Sequence, residues 1–391
     1  MRAKVVLAHN FFQQAGGEDE VFRAEGSLLE ARDHQVIRYS VHNDSIPKLG
    51  HFTLAKSTLW NSVVYRDLGR LLRRESPLLI HFHNTFPLIS PAAYYAARDV
   101  GVPVVQTLHN YRLICPNGLL LRDGRPCELC VGKAVAWPGV VHSCYRQSRS
   151  ATAVTAAMLA LHRARGTWIG AVDVYIALSD FSRRKFIEGG LPAERIMVKP
   201  NFLVTDPGTG DHTGGFALFV GRLSAEKGVH TLLQAWRQLP RTFPLKIVGD
   251  GPLLGTIAQS PANVEWIGHV PKDRVLSLMR DATFLVVPSE VYENFPLTVL
   301  EAFATGLPVI ASGHGALEEL VLDGQTGRLF RPGNAGALSA TLEWALNHRD
   351  DMQAMAQRAR AEFEAKYSPE RNYDLLMRVY NAARGRQEER E

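Results

Sequence analysis

The chain has 391 residues, 46% of them hydrophobic and 21% charged, with 32 Gly and 21 Pro, the balance of a globular protein of two to three domains and not of a disordered, fibrous or disulfide-stapled one. The formal charge of +5 is unevenly spread: residues 1–205 hold 25 Lys and Arg against 16 Asp and Glu, and residues 206–391 hold 19 against 23, which suits the first half to an anionic partner or simply to a solvated basic surface. The longest nearly apolar stretch, Ala153–Leu161, is far short of the ~18–20 residues of a membrane span, and the run Val5–Ala8 is too short for a signal-peptide core, so a cytoplasmic location is expected.

In chain order, Lys4–Ala8 reads as a buried strand, followed by a Gly-containing loop and an amphipathic helix over Glu18–Arg32. Val36–Val41, Leu78–Phe82, Val104–Leu108, Val174–Ala177 and Arg195–Val198 read as further strands with helical patterns between several of them. Asp206–Gly215 is polar, rich in Gly and aperiodic, and reads as a linker. The alternation then resumes, with strands at Phe216–Val220, Leu245–Val248, Val264–Ile267, Phe284–Val287 and Val309–Ala311 and helices at Glu226–Gln238, Asp273–Arg280 and Pro296–Ala304. Beyond Pro332 the pattern is helical, ending in a charged tail, Arg384–Glu391, expected to fray. Repeated β-α alternation implies parallel sheets flanked by helices. The expected fold is α/β, with doubly wound domains over 1–205 and 206–368 and a C-terminal helix and tail over 369–391. Two such domains facing each other form a cleft, and because ligands bind outside the carboxyl ends of the strands, functional residues should follow strands.

Three segments do so. Gly16-Gly17 lies where the first strand gives way to a helix, so its backbone can approach an anion at the helix start; a plain turn with Glu18 and Asp19 as helix caps explains the segment equally well. Gly221-Arg222-Leu223-Ser224-Ala225-Glu226-Lys227-Gly228 sets two cations five residues apart around an expected helix start, able to converge on a diphosphate, or else merely exposed. In Pro288–Ala302, Pro296 suggests the helix start, leaving Glu293 in the preceding loop and Glu301 more than a turn inside. At that separation the carboxylates can bind two different sets of hydroxyls, or serve as a helix-terminal charge and a surface Glu.

With these motifs the chain resembles glycosyltransferase family 4, enzymes of the GT-B fold built from two facing Rossmann-like domains. Thr107-Leu108-His109-Asn110, Ser179-Asp180-Phe181-Ser182, Pro200-Asn201-Phe202 and Gly306–Ser312 match in the family order over most of the chain. The resemblance implies that Arg222 and Lys227 hold the donor diphosphate, that Glu293 contacts the transferred sugar and that Glu301 takes the ribose hydroxyls. It further implies that Asn201 belongs to the donor site and that the backbone of Asn294, Phe295, Pro296, Leu297 and Thr298 binds phosphate. Gly16 and Gly17 would close over the donor phosphates, and His109 would touch the donor sugar beside the reacting carbon. His81, His83 and Asn84 form a polar set read as capping or buried, satisfied side chains.

The four cysteines, Cys115, Cys127, Cys130 and Cys144, fall in one insertion, 115–144. One Cys-x-x-Cys clamp flanked by two single thiols admits a structural zinc ion, and equally reduced thiols, a redox pair at Cys127 and Cys130, or disulfides. The insertion is poor in apolar periodicity, and a metal would order it.

The expected function is a retaining hexosyltransferase that moves a sugar from a UDP or GDP sugar to an acceptor hydroxyl in cell-surface polysaccharide or glycolipid synthesis. No catalytic cofactor is expected, since the cations replace a divalent metal and no Asp-x-Asp occurs. The acceptor is expected to be a carbohydrate or lipid-linked, with the basic half resting on an anionic inner-membrane surface and no nucleic acid as partner. The alternatives are a non-catalytic nucleotide- or carbohydrate-binding protein of the same fold and a GT-B epimerase or phosphorylase. A nicotinamide oxidoreductase would need a G-x-G-x-x-G turn that the first strand lacks.

Overall fold

A computed structural model describes residues 3–14, 16–239, 243–257 and 260–389. Ala15 of the glycine loop, Met1-Arg2, and Arg390 and Glu391 of the expected tail lie outside the described residues. The chain divides into two compact units, one made of Met1–Leu120, Glu128–Val204 and Asn372–Glu391, the other of Leu121–Cys127 and Thr205–Arg371. The last helix, Pro369–Glu388, is therefore largely an element of the first unit. Its buried Asn372, Leu376, Val379, Tyr380 and Ala383 recur at helical spacing, which gives it a core-facing stripe.

The first unit is built on β1 (Lys4–Phe11), β2 (Gln35–His42), β3 (Leu79–Asn84) and β4 (Val104–Thr107). A two-residue antiparallel ribbon follows, β5 (Leu121–Arg122) and β6 (Arg125–Pro126), within the segment that belongs to the second unit. The chain then returns through β7 (Val174–Ala177) and β8 (Ile196–Val198). The main sheet has the order β2-β1-β3-β4-β7-β8, every neighbouring pair parallel. Val5, Val6, Leu7 and Ala8 are wholly buried, as the centre of a sheet covered on both faces requires. The order reverses between β1 and β3.

In the second unit β9 (Ala217–Val220), β10 (Leu245–Val248), β11 (Val264–Gly268), β12 (Phe284–Val287), β13 (Val309–Ser312) and β14 (Gly327–Phe330) form a parallel sheet of order β11-β10-β9-β12-β13-β14. Its order reverses between β9 and β12, and at such reversals the crevice outside the strand ends is open to ligand. The helix expected over Glu226–Gln238 is instead a single 3-10 turn, Ala225–Lys227, then Gly228, then the helix Val229–Trp236. The break has a steric cause. Gly228 has φ +71°, and a Cβ there would lie 1.8 Å from the Pro288 carbonyl oxygen, so only glycine lets this loop lie against the chain leaving β12.

Candidate functional site

In the second unit, the loops and helix that follow β9 and β12 carry Arg222, Lys227, Glu293–Thr298 and Glu301. The Lys227 ammonium donates to Glu293 Oε1 at 2.6 Å, and Ser289 Oγ donates to the same oxygen at 2.6 Å. Burial pushes the Glu293 carboxyl up, but the Lys227 charge and these two hydrogen bonds outweigh it and hold the group below its usual range. The loops are tied together by Glu290 N–H donating to the Glu226 carbonyl at 2.9 Å, by Thr231 Oγ1 donating to Glu290 Oε1 at 2.6 Å and by Ser224 Oγ donating to Glu226 Oε1 at 2.6 Å. Arg222 is exposed, and its side chain has no partner among the described residues.

Asn294 and Phe295 are buried, Phe295 with its ring 5.6 Å from that of Tyr367. Pro296 is the extended residue before the helix Leu297–Thr305, so Leu297 and Thr298 supply its first N–H groups. Glu301 lies one turn further on, buried, with Oε1 3.1 Å from Lys272 Nζ. Glu293 and Glu301 are thus served by different lysines, and neither is a plain surface carboxylate. The loops after β9 and β12 thus carry an exposed guanidinium, an ammonium with further N–H donors, a helix start and a carboxylate held below its usual range.

In the first unit the glycine loop is fixed by acids. Gly16 N–H donates to Asp19 Oδ2 at 3.0 Å, and Asp19 Oδ1 meets buried His9 Nε2 at 2.6 Å. Asp19 therefore caps the helix Gly17–Glu30, whereas Glu18 turns away: its Oε1 accepts from Asn110 Nδ2 at 2.6 Å, and burial raises its carboxyl to about 7. Gly16 has extended φ, −133°, and open space where a Cβ would stand, so its own backbone makes no demand for glycine.

His109 follows β4 and meets His83, from β3, at 3.0 Å between His109 Nε2 and His83 Nδ1. Both line a pocket outside the strand ends, with Asn84, Gln106, Asn110 and Arg112. Beneath them lies a sealed network that joins Glu25, Lys199, Tyr380 and Asn372, none of them singled out in the sequence, to His81 and Thr107. Glu25 accepts from Lys199 Nζ at 2.6 Å and approaches His81 Nδ1 at 3.5 Å and His83 Nε2 at 3.4 Å. His81 has both ring nitrogens matched, by Tyr380 Oη at 3.1 Å and Thr107 Oγ1 at 2.7 Å. Lys199 also reaches Asn372 Oδ1 at 3.2 Å, and Asn372 Nδ2 donates to the Pro200 carbonyl at 2.8 Å, pinning the segment that leads to buried Asn201. One signal was available for Glu25: it sits in the buried stripe Val21, Phe22, Glu25, Leu28, Leu29, where a lone charge needs a partner.

Of the four cysteines Cys115 is buried and Cys127, Cys130 and Cys144 are half-buried, and none is in a disulfide. Side-chain contacts help to order the insertion that carries them. The Arg112 guanidinium lies 4.5 Å from the ring centre of Phe86 and 4.8 Å from that of Tyr145, Arg163 donates to the Lys133 carbonyl at 2.8 Å, and the short helix Trp137–Val141 packs on the helix Arg149–Ala164. Among the described residues the one group with metal-ligand spacing is Glu25, His81 and His83, and the Lys199 ammonium on Glu25 opposes a cation there.

Residues 15–201 match the glycosyl transferase 4-like domain, and residues 208–362 match glycosyl transferases group 1. The chain belongs to the family 4 type of glycosyltransferases. It is 37% identical over 153 residues to a glycogen synthase from Mycobacterium tuberculosis, a match spanning 37% of this chain and 36% of that protein. It is 27% identical over 254 residues to the lipopolysaccharide 1,2-N-acetylglucosaminetransferase of Salmonella typhimurium, spanning 57% of this chain and 66% of the relative. The chain thus matches 36% to 66% of the length of these two relatives. Among solved structures, Anabaena HepE in complex with UDP has a TM-score of 0.68 at 19% identity, covering 96% of this chain and 99% of that one. Sucrose-phosphate synthase from Thermosynechococcus elongatus has 0.71 at 18%, covering 97% and 98%. The likeness is one of fold, the GT-B fold of this glycosyltransferase family, with two Rossmann-like sheets.

Proposed function

We propose that this glycosyltransferase moves a hexosyl group from a nucleoside diphosphate sugar to an acceptor hydroxyl, with retention of configuration, in the synthesis of a cell-surface polysaccharide or glycolipid. The observation that carries the reading is the Arg222, Lys227, Ser289 and Glu293 group at the reversal between β9 and β12. During transfer the bond from the anomeric carbon to the phosphate oxygen breaks, negative charge grows on the departing diphosphate, and Arg222, Lys227 and the N–H groups of Asn294, Phe295, Leu297 and Thr298 stabilise it. The acceptor oxygen bonds to the same face of that carbon, and its proton passes to the departing phosphate, so no protein nucleophile is needed. Glu293, kept ionised, accepts hydrogen bonds from sugar hydroxyls, and Glu301 accepts those of the ribose. UDP bound to HepE and the polysaccharide-forming relatives support a nucleotide-sugar donor.

The test is a thermal-shift screen of UDP and GDP sugars on the full chain, followed by assay of sugar transfer. A ligand at 100 times its dissociation constant adds ~2.7 kcal/mol of stability, a shift of several degrees. If no nucleoside diphosphate or its sugar raises the melting temperature, the donor assignment is wrong.

The acceptor is proposed to be lipid-linked or otherwise presented at an anionic membrane surface. Arg66, Arg70 and Arg73, at helical spacing on the helix Ser62–Glu75, line one groove with Tyr65 and Asp99 and supply positive charge suited to phosphate headgroups. No helix among the described residues is long and apolar enough to cross a membrane.

A further inference from the structure

We propose that Glu25 sets, through His83, the face that His109 turns to substrate: a bare Nδ1 that accepts a hydrogen bond from a hydroxyl of the transferred sugar. The proposal rests on the reading above, which places His109 beside that sugar.

The argument follows one hydrogen at a time. Glu25 is wholly buried, and its charge is balanced by Lys199 at 2.6 Å. An ionised carboxylate accepts hydrogen bonds and has none to give. Its Oε2 lies 3.4 Å from His83 Nε2 and 3.5 Å from His81 Nδ1, which Tyr380 Oη already meets; Oε2 and His83 Nε2 are sealed from solvent and have no closer partner, so a hydrogen between them sits on His83 Nε2. Lys199 already neutralises the one carboxylate. A second cation in the same sealed site would be uncompensated, and a single ring hydrogen on Nε2 leaves Nδ1 bare. That nitrogen is 3.0 Å from His109 Nε2, and a bond between two ring nitrogens needs one hydrogen, which His109 must supply. Burial keeps His109 neutral, well below the ordinary histidine range, so a hydrogen on Nε2 leaves Nδ1 with a lone pair. His109 Nδ1 has no protein partner among the described residues and is not among the buried, unmatched polar atoms.

His81 does not divert the wiring, because Tyr380 and Thr107 occupy both its nitrogens. A bare imidazole nitrogen accepts a hydroxyl hydrogen and repels a phosphate oxygen, so His109 in this tautomer selects a hydroxyl at its end of the pocket and disfavours the diphosphate there. Glu25 and His83 are positioning residues: both act through His109.

The test is side-chain nitrogen NMR of the full chain labelled with 15N-histidine, with the His109 signals identified by their loss in His109→Asn. The wild type should show protonated Nε2 and bare Nδ1 for both His83 and His109. In Glu25→Leu/Lys199→Met, which removes both buried charges together, His83 loses its acceptor, and His109 should become a mixture of tautomers. His83→Phe should do the same without touching the ion pair. A wild-type His109 protonated on Nδ1, or a His109 pattern unmoved in both variants, overturns the proposal, and the wild-type measurement stands even if a variant fails to fold. In parallel, hydrolysis of UDP-glucose without acceptor should lose about 10- to 100-fold in kcat in the variants, with UDP affinity unchanged within about twofold. If the wild type neither binds UDP nor hydrolyses UDP-glucose, the UDP-glucose donor reading fails, while the NMR result still decides the tautomer.

Discussion

Lys227 is paired with Glu293, 2.6 Å away, while Arg222 has no side-chain partner among the described residues, so their substitutions should differ in more than degree. On the proposed donor site, Arg222→Ala should remove a charge-assisted contact to the leaving diphosphate, worth on the order of 3 kcal/mol or ~100-fold in rate, and leave the fold intact. Lys227→Ala carries the same loss and also takes the charge partner from the half-buried Glu293, leaving it only Ser289, so it should lower the melting temperature as well. Full turnover by both variants with every accepted donor would refute the donor assignment. Gly228→Ala is a third case: the left-handed φ and the 1.8 Å approach to the Pro288 oxygen predict a loss of at least about 1–3 kcal/mol, read as a lower urea midpoint. Arg222, Lys227 and Glu293 could be picked out as candidates because each lies in a loop that follows a strand. Glu25 and Lys199 could not, because their meaning lies in each other, 174 positions apart, and no local pattern pairs them.

At the scale of elements, strands were read where an apolar run is buried on both faces, as in Val5–Ala8 and Phe284–Val287. β14 was not read, since Gly327-Arg328-Leu329-Phe330 has neither an apolar run nor a clean alternation. Its glycine has a packing cause: a Cβ at 327 would lie 2.0 Å from the Val309 carbonyl oxygen, so this edge strand closes on β13 only without a side chain there. The helix break at Gly228 was equally invisible, because the obstacle is the backbone of a residue sixty positions away. The helix Gly17–Glu30 carries an energetic prediction through Glu25. Lys199→Met alone leaves a buried carboxylate unpaired and should cost ~3–5 kcal/mol, whereas Glu25→Leu/Lys199→Met, with apolar groups in both places, should recover most of it. Chemical denaturation of the two variants checks this, and equal losses would show that the ion pair is not the coupled unit described.

For the molecule as a whole, acid sensitivity follows from its buried histidines. Burial lowers His9, His34, His81, His109, His162 and His314 from the ordinary 6.5, so the unfolded chain takes up their protons first. The stability they contribute is complete above 6.5 and is lost as pH falls below it. Glu18, raised to about 7 from 4.5, acts the other way, favouring the folded state below 4.5 and losing that contribution as pH rises through 7. Six groups against one predict a melting temperature that climbs from about pH 5 to about pH 7, and in Glu18→Gln a gain over wild type that is larger at about pH 8 than at about pH 5. Melts across that range check both signs, and a flat profile would contradict the first.

Charge distribution at the same scale sets the last expectation. The excess of 25 basic over 16 acidic residues in positions 1–205 includes Arg66, Arg70, Arg73 and Arg74, all exposed on the helix Ser62–Glu75, and Phe52 stands 84% exposed on the preceding helix, His51–Leu59. Each basic residue near an anionic bilayer contributes ~1 kcal/mol, screened within a Debye length, so a handful of arginines holds a protein at low salt and releases it at high salt. Arg70 and Arg74 already have carboxylate neighbours, Asp67 and Glu75, which leaves Arg66 and Arg73 as the larger contributors. The full chain should therefore float with liposomes containing phosphatidylglycerol at low salt, stay behind at high salt, and ignore phosphatidylcholine vesicles. Arg66→Ala/Arg70→Ala/Arg73→Ala should lose flotation while keeping soluble-donor hydrolysis. If wild type fails to float at low salt, the basic excess serves phosphate-bearing substrates alone; if the triple variant floats as well as wild type, the docking charge lies elsewhere on the first unit.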